Sequence, residues 1–294
     1  MIDYLEQLKI NNMELTLFNN RRLVIATMHR KETVIAPPLE QAIGVKCLVL
    51  ENFDSDELGT FSGEVERLNG PLETAKEKCL RAMRIAGCDL GVASEGSFGV
   101  HPTYGFLPSN DELIIFIDQK NDLEIIARNL TTETNFMGTF VSDQSSLLNF
   151  AEKANFPSHA LILRNDENGT ARIKKGIQNK VELLREFNEL HRLFGKAFVE
   201  TDMRAMHNPA RMRAIEKTTE KLIEKILFTC PSCETPGFEV SRVNNGLKCS
   251  ACGFPTRSTL SITRTCKKCG LENVEMYPNQ KEEEDPTYCD ICNP

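Results

Sequence analysis

Cys230-Pro231-Ser232-Cys233, Cys249-Ser250-Ala251-Cys252, Cys266-Lys267-Lys268-Cys269 and Cys289-Asp290-Ile291-Cys292 hold eight of the eleven cysteines of a 294-residue chain in four equal pairs. A two-residue spacer lets both thiolates turn back toward one ion, and a second pair completes a tetrahedron about zinc. Fifteen residues lie between Cys233 and Cys249 and 19 between Cys269 and Cys289, both lengths of a zinc ribbon. Disulfides would not require four equal spacings and are disfavoured in a reducing compartment. Two four-sulfur sites are therefore expected. They are arranged either sequentially (first pair with second, third with fourth) or as an interleaved cross-brace (first with third); the sequential ribbon is the expectation. All-thiolate sites leave no open coordination position, so both zinc ions are structural. Pro231, Gly253 and Gly270 mark knuckle turns that aim backbone N–H groups at sulfur. Residues 228–294 carry few large aliphatic side chains, and ligation worth about 10 to 16 kcal/mol per site supplies what their core lacks.

Around the ribbon, Arg242, Lys248, Arg257, Arg264, Lys267 and Lys268 form an unbroken basic set that could face phosphates. Each four-thiolate zinc site carries a charge of about minus two, and residues 282–285 are acidic. Nucleic acid is thus not favoured as a partner. A protein contact through the ribbon, or a purely stabilising module, is the blander reading.

Working outward, the composition is that of a soluble globular protein: 40% apolar and 26% charged residues exclude wholesale disorder and collagen-like repeats. No apolar run approaches a membrane span, and Asp3, Glu6 and Lys9 interrupt any leader, so a cytoplasmic protein with no membrane partner is expected. Lys and Arg against Asp and Glu number 15 to 25 over residues 1–171, 13 to 8 over 172–227 and 7 to 9 over 228–294. The acidic first part argues against a nucleic-acid surface there, and the basic middle part suits an anionic ligand.

Residues 1–171 alternate short aliphatic runs with helical patterns. Leu23–Ala26, Cys47–Leu50, Leu90–Ala93, Leu113–Ile117, Leu123–Ile126 and Ala160–Leu163 read as buried strands, and 113–128 as a hairpin that makes the sheet mixed. Glu73–Ala86 and Val141–Ala154 read as helices. A three-layer α/β domain follows. From Lys180 the apolar spacing becomes helical, with a start at Pro209, and residues 172–227 are expected to be a helical extension packed on that domain.

Four polar groups could carry chemistry. Thr27, His29 and Lys31 follow the first strand and suit a phosphate or carboxylate; the plain alternative is a solvated turn. Residues 59–67 offer two glycines with Glu64 and Glu66, a pair able to hold a divalent ion or merely a surface strand. Residues 93–102 bring Glu95, Ser97 and His101 together with two glycines at a strand's carboxyl end. There Glu95 could bind metal or act as a base and His101 transfer a proton, unless both only satisfy a turn. Finally, Arg204 and Arg211 near Pro209 form either internal ion pairs or an anion clamp. No phosphate-loop, dinucleotide or nucleophile-elbow motif is present.

The strings 25–29, 58–64, 93–99 and 200–205 together resemble an uncharacterised, mainly bacterial family, domain of unknown function 6671, from about Arg21 to the ribbon. A fainter similarity links Ala26, Thr27 and Lys31, then Thr60, Phe61 and Glu64, then Lys76 and Lys78, then Glu95, Gly96 and Ser97 to nucleoside triphosphate pyrophosphatases of the inosine triphosphatase type. It departs from them at His29, where asparagine is usual, and in the Glu-Gly-Ser order of the turn. What this resemblance implies is a magnesium-assisted hydrolase of a nucleotide or other phosphorylated small molecule. Glu64 and Glu95 would hold the ion, Lys31 and Lys78 would bind phosphate, and His101 would be acid or base. The alternative is a non-catalytic zinc-ribbon adaptor for a protein or nucleic-acid partner.

Overall fold

The computed structural model describes residues 17–51, 53, 70–167, 169 and 171–294. The chain divides into two units, Met1–Ile223 and Glu224–Pro294.

The first unit opens with β1 (Arg22–Ala26), α1 (Glu32–Ile43), β2 (Lys46–Val49), α2 (Pro71–Ala86), β3 (Leu90–Val100), β4 (Pro108–Asp118) and β5 (Leu123–Thr131). These strands form one sheet in the order β2-β1-β3-β4-β5, parallel around β1 and antiparallel from β3 onward, which is the expected mixed sheet. The expected helix at 73–86 is α2. Its apolar face (Ala75, Cys79, Ala82 and Met83) packs on Val24, Ala26, Ala93, Ile115 and Ile117. A Cβ at Gly91 would come within 2.5 Å of Met83 and 2.7 Å of Cys79, so the glycine is what lets α2 lie flat on β3. Helix α1 has no counterpart among the expected elements, because Pro37 and Pro38 inside it each lack the N–H that a helix interior uses. It forms nonetheless, burying Ile35, Leu39 and Ile43 at four-residue spacing and ending at left-handed Gly44.

A second sheet was not foreseen. The strands β6 (Gly138–Val141), β7 (Leu161–Arg164), β8 (Ile173–Ile177) and β9 (Ala197–Thr201) pair antiparallel in the order β6-β9-β7-β8. One face packs on α3 (Gln144–Lys153) and α4 (Lys180–Phe194), with Leu147, Phe150, Leu183 and Phe187 in its core. Two expectations are corrected. The run at 160–163 belongs to this sheet and not to the first, and residues 172–227, read as a purely helical extension, contain β8 and β9 besides α4 and α5 (Pro209–Leu227). These strands have four or five residues each and pair with partners distant in sequence, so local periodicity hardly registers them. Likewise Val141 ends β6, and α3 starts only after Asp143, whose carboxylate accepts the N–H of Ser146 at 2.8 Å.

Helix α5 starts where expected. Asn208 accepts the N–H of Arg211 at 3.0 Å while Pro209 occupies the first helical position. From its first turns Arg211 reaches Glu112 and Lys221 reaches Asn129, on the sheet face opposite α2; the first sheet is therefore covered on both faces. No helix of the described residues is long and apolar enough to cross a membrane.

The second unit contains a three-stranded antiparallel sheet, β10 (Val240–Asn245), β12 (Thr259–Thr265) and β13 (Glu272–Met276), in the order β10-β12-β13. A short parallel pair, β11 (Lys248–Cys249) with β14 (Glu283–Glu284), lies at its side.

Candidate functional site

The four cysteine pairs adopt nearly the same turn. In each, the N–H after the second cysteine donates to the carbonyl of the first: Glu234 to Cys230, Gly253 to Cys249, Gly270 to Cys266 and Asn293 to Cys289, at 2.8 to 2.9 Å. Gly253 (φ 69°) and Gly270 (φ 73°) supply the left-handed residue this closure needs, and Glu234 adopts it at φ 58° despite its side chain. The N–H groups of Ala251 and Cys269 approach the sulfurs of Cys249 and Cys266 at 3.4 and 3.5 Å.

The pairs combine crosswise. Cys230, Cys233, Cys266 and Cys269 form one cluster and Cys249, Cys252, Cys289 and Cys292 the other, the sulfurs of each lying within 4.8 Å of one another. This corrects the sequential arrangement. The reason is the β10–β12 hairpin. Val240 pairs with Arg264 at one end and Asn245 with Thr259 at the other, so the first and third knuckles share one end while the second knuckle follows the opposite end. Six residues of strand separate those ends by about 20 Å, far beyond one tetrahedron. β13 runs back along β12, and the chain beyond it brings the fourth knuckle to the second, where Lys248 pairs with Glu283.

The geometry fits zinc. A Zn–S bond of about 2.3 Å puts tetrahedral sulfurs about 3.8 Å apart. The separations are 3.6 Å for Cys230–Cys269, 3.6 Å for Cys233–Cys266, 3.9 Å for Cys249–Cys292 and 3.6 Å for Cys252–Cys289, whereas a disulfide would require about 2.05 Å. Phe238 and Leu271 pack against the first cluster.

In the first unit, β1 pairs with β3 only from Leu23–Leu90 to Ala26–Ala93. Beyond Ala93, β3 runs on to Val100 with no partner on its β1 side among the described residues, leaving an open edge that side chains from both faces can reach. Because the chain goes from β1 to β2 on one flank and returns to β3 on the other, this edge is the topological switch point of the sheet, where open α/β folds place ligands.

Groups from four segments meet there. Lys31, at the entrance of α1, donates to the carbonyl and the hydroxyl of Ser94, both at 3.0 Å. Lys78 of α2 forms a buried ion pair with Glu95 of β3. Arg211 of α5 binds Glu112 of β4 at 2.7 Å and the carbonyl of Met203. A Cβ at Gly96 would lie 2.5 Å from Arg211 and 2.7 Å from Glu112, so only glycine admits that pair. Burial pushes the Lys31 ammonium down to about 8; Arg211 and Lys78 act in the same direction, and Glu95 and Glu112 oppose it. One oxygen of Glu112 is buried with no hydrogen-bond partner among the described residues.

Residues 78–294 match the family model described as domain of unknown function (DUF6671). The chain belongs to this family. No curated protein matches it. The DUF6671 match begins at Lys78 and so takes in Glu95, Glu112, Arg204, Arg211 and all eight knuckle cysteines. The loop carrying Lys31 lies outside it, although the resemblance was drawn from Arg21.

Within the DUF6671 chain, three of the four sequence-derived groups converge on the β3 edge, and Glu64 and its segment lie outside the described residues. Thr27 is buried at the end of β1, its hydroxyl accepting the N–H of His29 at 3.4 Å. Ser97 follows Glu95 on the same side of the strand. Arg204 is held by Asp202 at 2.6 Å. The segment expected as a loop at 93–102 is mostly strand, and this separates His101 from Glu95 by about 20 Å of extended chain. There His101 accepts the N–H groups of Thr103 at 3.1 Å and Tyr104 at 3.2 Å, closing the turn into β4. Sequence reasoning missed Ser94 and Glu112. The only signal for Glu112 was a run of polar residues, Ser109 to Glu112, leading into an aliphatic strand.

Proposed function

We propose that the first unit binds a phosphorylated small molecule at the open edge of β3 and hydrolyses it, while two structural zinc ions hold the second unit together. The observation that carries this reading is the meeting of Lys31, Lys78, Glu95, Glu112 and Arg211 at the switch point of the sheet. A phosphate arriving there would draw on Lys31 and Lys78. Once Lys78 turns to phosphate, Glu95 is the carboxylate placed to take a proton from an attacking water as the phosphorus–oxygen bond to the leaving group breaks.

Magnesium was expected on Glu64 and Glu95. Glu95 is taken by Lys78 and Glu112 by Arg211, and among the described residues no carboxylate or histidine set converges as ligands. The described groups are not a magnesium cage, and no step is assigned to that ion. The non-catalytic adaptor is favoured by one observation: Lys78 and Glu95 already satisfy each other.

Phosphate release from a panel of nucleotides and sugar phosphates, with magnesium supplied, decides between them. Glu95→Gln is expected to lower turnover by about 10² to 10⁴, the usual contribution of a positioned base. Equal release from both proteins would remove Glu95 from the reaction; ligand binding without turnover would establish the adaptor.

A further inference from the structure

Arg30, Arg204 and His207 have no part in that chemistry, yet they come together from the β1–α1 loop and from the short helical turn Ala205–His207. Arg30 sits at φ 58°, a left-handed conformation uncommon for a residue with a side chain, at the point where the chain leaves β1 for α1. On the second sheet, Gly176 has φ +72°, and a Cβ there would lie 3.1 Å from Nε2 of His207 and 3.3 Å from the guanidinium of Arg204; the two heads lean over one peptide. The N–H of Gly176 donates to Asp202 at 3.0 Å, and fully buried Asp202 also takes Arg204. Nδ1 of His207 is buried with no hydrogen-bond partner among the described residues.

Charge decides what such a group can hold. Burial lowers the His207 pKa, and the positive charges of Arg204 and Arg30 lower it further against the pull of Asp202. With His207 neutral, two guanidinium groups face one carboxylate, an excess of positive charge beside an imidazole whose ring nitrogen has no assigned role.

We infer that Arg30, Arg204 and His207 form a second anion-binding subsite, which takes a phosphoryl group of the ligand held at Lys31. The assignment rests on the ligand site proposed above but is separable from it. An oxyanion entering the subsite adds negative charge beside His207 and draws a proton onto the imidazole, so binding takes up a proton from solvent.

The test is calorimetric titration of the full-length zinc-loaded protein with sulfate, which does not itself titrate near neutral pH, in two buffers of different ionisation enthalpy. Proton uptake is expected near pH 7.5, with affinity rising severalfold from about pH 8 to about pH 6. Arg30→Gln, at an exposed position, should weaken binding about tenfold. His207→Gln should weaken it and abolish the proton uptake. Sulfate binding that is absent, or that neither substitution changes, overturns the subsite. A parallel titration with inorganic pyrophosphate, comparing wild type and Lys31→Met, reads the first site. Loss of pyrophosphate binding on Lys31→Met, with sulfate binding indifferent to Arg30 and His207, removes the subsite and leaves the ligand site standing; the reverse pattern removes the ligand site.

Discussion

The sulfur of Cys233 lies 3.6 Å from that of Cys266, 33 positions further along the chain, whereas Cys249, 16 positions away, belongs to the other cluster. The relationship makes the second unit a closed unit: each metal joins a knuckle before β12 to a knuckle after it, so loss of either ion releases both flanking strands.

Coupling between cysteines should therefore follow the cross-brace. Cys233→Ser and Cys266→Ser should each cost the same single zinc ion, and the double variant should lose no more than one. Cys233→Ser with Cys249→Ser should lose both. Elemental analysis of the purified proteins checks this, and two zinc ions lost on the first double variant would restore the sequential pairing.

Lys31 should titrate near 8 instead of its ordinary 10.5, and NMR of reductively ¹³C-methylated protein can follow it. The folded-state pKa is the lower one, so between about pH 8 and 10.5 the unfolded chain holds more protons and stability rises with pH. Lys31→Met should remove that rise, worth up to about 3 kcal/mol, when wild type and variant are compared by denaturant unfolding across the window.

Gly96→Ala should destabilise the first unit by about 1 to 3 kcal/mol, since its methyl would enter the Arg211–Glu112 pair. Arg211→Met should cost more, about 3 to 5 kcal/mol, because Glu112 would stay fully buried without its cation. Adding Glu112→Leu to Arg211→Met should recover most of the loss. Failure of that rescue in urea titrations would mean that the pair does not account for the sensitivity of this position.

At the knuckles, Glu234→Gly should be neutral or stabilise by up to about 1 kcal/mol, because it relieves a left-handed residue. Gly270→Ala should destabilise by about 1 kcal/mol for the opposite reason. Thermal unfolding of zinc-loaded protein reads both.

Much of the candidate site was legible residue by residue. Lys31, Lys78, Glu95 and Arg211 stand out as charged groups at the ends of aliphatic or helical patterns, and they do meet. His101 shows the limit. Its nearness to Glu95 in sequence suggested one site, but the extended chain between them carries it to the next turn. Ser94 was hidden because a hydroxyl in a strand carries no signal until a lysine from another segment lies 3.0 Å away.

Sequence alone determined which atoms can bind metal and which faces are apolar: spacing of thiols and periodicity of side chains are local properties, set by a few bonds. Tertiary structure alone decided which knuckles share an ion, that a second sheet exists, and that four distant charged segments converge on one strand edge. Those outcomes depend on the direction in which antiparallel strands return and on where β1 stops beside β3, and both are settled by contacts between residues far apart in the chain.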